Sequence, residues 1–235
     1  MIKVVFVDID NTLLSFDGYV RETMKKGFSE FGLPKFEGWM YDAFQKVNHG
    51  LWRKIEQGLI TFAELSRDRW NMAFKAMGIE FDGPVFEKYF RANLRNSAVP
   101  MPGAKDMLEY LSAKYVLSAA SNGPFEQQTN RLKVGDMYEH FSFFFISEQV
   151  GAQKPSREYF DYCFEKLRSS GAKELEDIQP EETMIIGDSL TSDIAGGREY
   201  GMKTCLYLGA HPDEKQDEDV ADHIIYDLAE IKGIL

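Results

Sequence analysis

Five short runs of aliphatic, β-branched and aromatic residues punctuate the chain, at positions 2–7, 115–120, 141–146, 184–186 and 203–208. Runs this short and this uniformly apolar read as strands buried on both faces, the habit of parallel sheets. Segments of helical periodicity lie between them, with turn formers at their starts: Pro102-Gly103 before 104–114, Pro124 before 125–132, and Pro155 before 156–167. Strand and helix in alternation predict parallel βαβ units, and so an α/β fold with a doubly wound, Rossmann-like sheet.

The alternation fails once. From residue 17 to residue 96 no strand-like run occurs, and the apolar positions keep a helical period. Val20, Met24, Phe28 and Phe31 share one face. Thr61 and Glu64 have the spacing of a capping box, and Phe62, Leu65, Arg69 or Trp70, Ala73 and Met77 continue an apolar stripe behind it. The interval reads as an all-helical domain inserted after the first strand. Residues 1–16 and 97–235 then form the sheet domain and 17–96 the insertion, a division that 235 residues can support.

Composition narrows the function. With 27 Lys and Arg against 38 Asp and Glu, the net charge of -11 argues against a surface built to neutralise nucleic-acid phosphates or anionic lipid. No segment approaches the roughly 20 apolar residues of a membrane span. The apolar start of the chain meets Asp8 and Asp10 where a signal peptide needs small residues, so a cytoplasmic protein is expected. Cys163 and Cys205 lie in apolar contexts without metal or redox spacing and read as buried free thiols. His49, His140, His211 and His223 show no metal-ligand spacing, and the acidic stretch 213–222 reads as a solvated loop.

Ligands of an open parallel sheet gather beyond the carboxyl ends of its strands. The residues after each apolar run therefore carry the functional reading. Asp8-Ile9-Asp10-Asn11-Thr12 follows the first run and Ser121-Asn122-Gly123 the second. The third leads through a loop to Lys154-Pro155, and Gly187-Asp188-Ser189-Leu190-Thr191-Ser192-Asp193 follows the fourth. Taken singly, an aspartate after a strand is ordinarily a turn former or helix cap, a serine a turn residue and a lysine a surface residue. Their order along the chain gathers carboxylates, a hydroxyl and an ammonium at one sheet edge.

These four segments resemble the four motifs of the haloacid dehalogenase superfamily of phosphohydrolases, and the resemblance spans the whole sheet domain. It implies that Asp8 is the nucleophile, Asp10 the general acid and base, and Ser121 and Lys154 the binders of phosphate and intermediate. It also implies a Mg²⁺ site formed by Asp8, Asp10 through its backbone carbonyl, and Asp188, with Asp193 in support. The chemistry needs such a set, because a phosphate ester repels an attacking carboxylate unless a divalent cation and a lysine offset the charge. Backbone N–H groups at Asn122 and Gly123 are expected to hold phosphoryl oxygens beside Ser121. In the superfamily an acid at the position of Asp10 marks phosphatases and phosphomutases, whereas dehalogenases and ion-pumping ATPases carry other residues there.

The insertion resembles the helical cap of one large class of the superfamily, which closes over the site and contacts the leaving group. Val47-Asn48-His49-Gly50-Leu51-Trp52 and Gly58-Leu59-Ile60-Thr61 within it are similar to the pyrimidine 5′-nucleotidase branch. So are Ile146-Ser147-Glu148-Gln149-Val150-Gly151 and the Gly196-Gly197 pair after Ile194. The implied function is a Mg²⁺-dependent nucleoside 5′-monophosphatase, pyrimidine-preferring, working through an aspartyl-phosphate. Phe16 is the candidate to stack on a base, while Trp52 reads as cap core. The alternatives are a phosphatase of a small sugar phosphate or phosphoglycolate, then a 2-haloacid dehalogenase, and a non-catalytic binding protein of the same fold. The expected partner is a small phosphorylated molecule, not a nucleic-acid polymer or a membrane.

Overall fold

The computed structural model describes residues 1–210 and 218–235, so the first half of the acidic stretch 213–222 falls outside the described residues. In chain order the elements are β1 (Val4–Val7), α1 (Phe16–Glu30), α2 (Gly38–Glu56), α3 (Phe62–Met77), α4 (Gly83–Arg95), α5 (Ala104–Ser112), β2 (Val116–Ser121) and α6 (Phe125–Val134). They continue with β3 (Phe143–Ile146), α7 (Ser147–Val150), α8 (Arg157–Arg168), β4 (Thr183–Gly187), α9 (Ala195–Tyr200), β5 (Lys203–Tyr207) and β6 (His223–Ile225). Two compact units result, Met1–Ser15 with Ala98–Leu235, and Phe16–Ser97. Among the described residues no helix is long and apolar enough to cross a membrane.

The first unit is built on one parallel sheet of order β3-β2-β1-β4-β5-β6. Alternation along β1 explains why its run is apolar throughout. Val4 and Phe6 join Tyr159, Phe160 and Phe164 of α8 in one buried cluster, while Val5 and Val7 join Met107, Leu108 and Leu111 of α5 in another. Both cysteines are free and buried in these clusters. β6 is a strand the apolar runs do not predict, since His223-Ile224-Ile225 is too short to display a period. Asp222, just before it, accepts hydrogen bonds from Thr204 N and Oγ1 and pairs with Lys203, so this end of the acidic stretch is fastened to β5.

Strand order reverses at β1, with β2 and β3 to one side and β4 to β6 to the other. The carboxyl ends of β1 and β4 therefore frame the crevice where such sheets bind ligands. Asp8 follows one of these strands and Asp188 the other. A short antiparallel stem stands at the same edge. Ser15 N–H donates to Val99 O (2.8 Å), Met101 N–H to Leu13 O (2.9 Å), and Leu14 bridges Pro100.

The second unit is the four-helix insertion α1 to α4. Its α3 begins with the capping box read from the sequence: Glu64 N–H donates to Thr61 Oγ1, and Thr61 N–H to Glu64 Oε2. The aromatic stripe forms the core, where the buried Trp70 ring lies 4.8 Å from Phe44 and 4.3 Å from Phe86. Both residues left open by the helical period, Arg69 and Trp70, are interior. Arg69 pairs with the buried Glu87 at 2.7 Å and donates to Asn48. Trp52 packs on Phe62 beside Leu51, Ile55 and Leu65. Phe16 belongs to this unit, its ring against Tyr19 and Phe90.

Candidate active site

Asp8 still donates its N–H to Ile186 O (2.9 Å), so the sheet fixes where its side chain emerges. The chain then turns sharply. Leu13 and Leu14 N–H both reach Ile9 O, and Asn11 takes the left-handed conformation (φ 57°) that asparagine tolerates better than most residues. This turn breaks the two-residue period of the strand, and the side chains of Asp8 and Asp10 reach different partners.

Lys154, almost wholly buried, donates from Nζ to Asp8 Oδ1 (2.8 Å), Asp193 Oδ1 (2.6 Å) and Ala120 O (2.7 Å). An ammonium has three protons, so each has a partner. Asp193 is fixed from its other side by Ser189 N–H on Oδ2 (3.1 Å). Gly187 makes room for it, because a Cβ there would stand 2.2 Å from Asp193 Oδ2. The sequence assigns Asn122 to substrate binding; its side chain accepts from Lys154 N–H (2.8 Å) and donates to Lys154 O (2.7 Å). That side chain is thus engaged in presenting the lysine.

One carboxylate oxygen from each of Asp8, Asp188 and Asp193 lies within 4.8 Å of the other two. Burial pushes the Asp8 carboxyl up to about 7, with Lys154 pulling against it and Asp193 and Asp10 adding to the rise. Asp188, although half-buried by surface, is raised well above the ordinary carboxylate range, first by desolvation and then by Asp8 and Asp193. Burial alone would depress the Lys154 ammonium, yet Asp193 and Asp8 outweigh it and its pKa is raised. The lysine is therefore charged at neutral pH. Beyond burial, one ammonium cannot balance three ionised carboxyls, so Asp8 and Asp188 hold protons to higher pH, and hard oxygen donors so arranged fit a divalent cation.

The Asp10 carboxylate is not part of that trio and turns to α6. Its Oδ1 accepts from Arg131 Nη1 (2.5 Å) and its Oδ2 from Gln128 Nε2 (2.8 Å). The same Gln128 nitrogen donates to Ser121 Oγ (2.7 Å), while Gln128 Oε1 accepts from Arg131 Nη1 (2.8 Å). Gly123 lets Gln128 lie across the loop, since a Cβ would meet its side chain at 2.9 Å. Of the residues singled out in the sequence, Asp8, Asp188, Asp193 and Lys154 form one cluster. Asp10 and Ser121 form a second, joined through Gln128. Gln128 and Arg131 themselves are additions from the structure. Their one sequence signal is that they fall on the same helical face as Leu132, where apolar residues are expected.

A family model described as haloacid dehalogenase-like hydrolase matches residues 2–201. YfnB of Bacillus subtilis is 32% identical over 235 residues, 99% of this chain and 95% of that protein. Its crystal structure bound to magnesium superimposes with a TM-score of 0.87 at 31% identity, covering 100% of this chain and 98% of that one. The pyrimidine 5′-nucleotidase PynA of Streptococcus pneumoniae is 32% identical over 210 residues, 89% of this chain and 85% of that protein. The pyrimidine 5′-nucleotidase YjjG of Escherichia coli is 27% identical over 231 residues, 98% of this chain and 96% of that protein. Matches of this extent run through both compact units, and the chain belongs to the haloacid dehalogenase-like hydrolases.

Proposed function

We propose that the chain is a Mg²⁺-dependent phosphomonoesterase that removes phosphate from nucleoside 5′-monophosphates, with a preference for pyrimidines. The observation that carries the reaction type is the buried Lys154 ammonium held between Asp8 and Asp193, beside Asp188. It restrains a carboxylate at the switch point of the sheet and supplies a positive charge where a phosphoryl group would dock. Kinship with two pyrimidine 5′-nucleotidases supports the substrate class.

In the first step an Asp8 oxygen attacks phosphorus, the ester P–O bond breaks, and Asp10 gives its proton to the departing oxygen. The product on the chain is an aspartyl-phosphate. In the second step Asp10 takes a proton from water, the water oxygen attacks phosphorus, and the acyl-phosphate bond breaks to restore the Asp8 carboxylate. Lys154 offsets charge on nucleophile and phosphoryl group as a compact point charge. Ser121 and the backbone N–H groups of Asn122 and Gly123 take phosphoryl oxygens. Mg²⁺, held by Asp8, Asp188 and the Asp10 carbonyl with Asp193 in support, would polarise the phosphoryl group and shield its charge; the magnesium of YfnB supports that choice.

The test is a panel of dUMP, dTMP, small sugar phosphates and phosphoglycolate, assayed with Mg²⁺ for the original chain and for Asp8→Asn. Phosphate release is expected to favour the pyrimidine nucleotides and to vanish in Asp8→Asn without loss of fold. Turnover retained by that variant would overturn the mechanism. A preference for sugar phosphates would overturn the substrate class.

A further inference from the structure

We propose that Gln128 and Arg131 are positioning residues of this reaction, a two-residue bracket on α6 that holds Asp10 and the Ser121 hydroxyl in working orientation. The proposal rests on the reading of Asp10 as acid and base.

The cost of the bracket is its first support. The Arg131 side chain is 1% exposed, and a guanidinium so deeply placed is unfavourable unless it is paired. An aliphatic residue beside Leu132 would occupy the same helix face without that penalty. What the guanidinium does there is meet Asp10 Oδ1, while Gln128 meets Oδ2. With each oxygen held by a different donor, rotation of the carboxylate is stopped about both of its side-chain bonds.

Gln128 has one sensible orientation. Both protons of its amide nitrogen are placed, on Asp10 and on Ser121, and its oxygen faces Arg131. Turning the amide over would set its oxygen against a carboxylate and its nitrogen against a guanidinium. Ser121 Oγ consequently acts as an acceptor toward Gln128, and its own proton is available to an anion. One glutamine thereby sets the direction of the proton-transfer group and of the phosphate-facing hydroxyl together. The helix that carries the bracket is fastened where it begins, Phe125 N–H donating to Glu148 Oε2 (2.8 Å).

The test compares Arg131→Met, Arg131→Lys, Gln128→Leu and, as reference, Asp10→Asn. Two substrates are used with Mg²⁺: the nucleotide best hydrolysed in the panel, whose alkoxide leaving group needs a proton, and para-nitrophenyl phosphate, whose leaving group does not. Arg131→Met and Asp10→Asn are both expected to lose on the order of 100-fold in kcat/KM on the nucleotide and less than about tenfold on the aryl ester. Arg131→Lys is expected to restore the nucleotide rate to within about tenfold of the original. Gln128→Leu should show the same leaving-group dependence, and should also weaken inhibition by inorganic phosphate by about tenfold through Ser121. It leaves Arg131 on Asp10, and so reads the same ratio if Arg131→Met does not fold. Equal losses on both substrates for Arg131→Met and Gln128→Leu, or no loss, would overturn the proposal. If Asp10→Asn shows the leaving-group dependence and the bracket variants do not, the proposal alone fails. If Asp10→Asn does not show it, the reading of Asp10 fails and the proposal with it.

Discussion

A lysine buried between two aspartates bears on stability as well as on the proposed chemistry. Lys154→Met would leave the carboxylates of Asp8 and Asp193 facing each other without their shared ammonium. Removing one member of a buried ionic group is expected to destabilise the metal-free protein by about 3 to 5 kcal/mol, measured by urea denaturation in EDTA; a loss below about 1 kcal/mol would contradict this account. Lys154→Arg is not a repair, because a planar fork cannot reproduce three donors diverging from one atom. Asp8, Ser121, Lys154 and Asp188 were legible in the sequence because each follows an apolar run or a short loop from one. Gln128 and Arg131 were not. A polar residue on a helix defaults to solvent, and nothing local reports that this face of α6 docks on Asp10.

Elements were legible where the local signal is strong. The Thr61 capping box identifies the start of α3 from two residues alone, and the buried strands declare themselves by composition. β6 and the interior of the helical unit depend on partners distant in sequence. Arg69 on α3 and Glu87 on α4 are 18 positions apart, and no helical period pairs them. Each is buried, so the partners are not equivalent to two neutral residues. Glu87→Gln, which leaves the guanidinium without its counter-charge, is expected to cost about 3 kcal/mol, whereas Arg69→Met with Glu87→Leu should cost less than the single change. Thermal unfolding of the three chains checks the order. A double variant less stable than Glu87→Gln would show that the ion pair stabilises the unit outright.

For the whole molecule, the acidic cluster is expected to make stability depend on pH and, through the proposed cation, on metal. The folded state raises Asp8 from 3.8 to about 7, and Asp188 in the same direction, so the fold retains protons that the unfolded chain has released. That contribution is fully present below a pH of about 4 and is lost as pH rises through about 7. In EDTA the melting temperature is therefore expected to fall between about pH 5.5 and pH 7.5, and Mg²⁺ should flatten the decline. A metal-free melting temperature that climbs across this window would contradict the charge assignment. Turnover should cease in EDTA and return when Mg²⁺ is restored. The antiparallel stem has a different consequence. Because Ser15 and Val99 are hydrogen-bonded to each other, the chain leaves the sheet domain and returns to it at one point. The 82 residues of Phe16–Ser97 are a cassette. A segment that leaves and re-enters the sheet domain at one point can change in length without disturbing the register of β1 to β6.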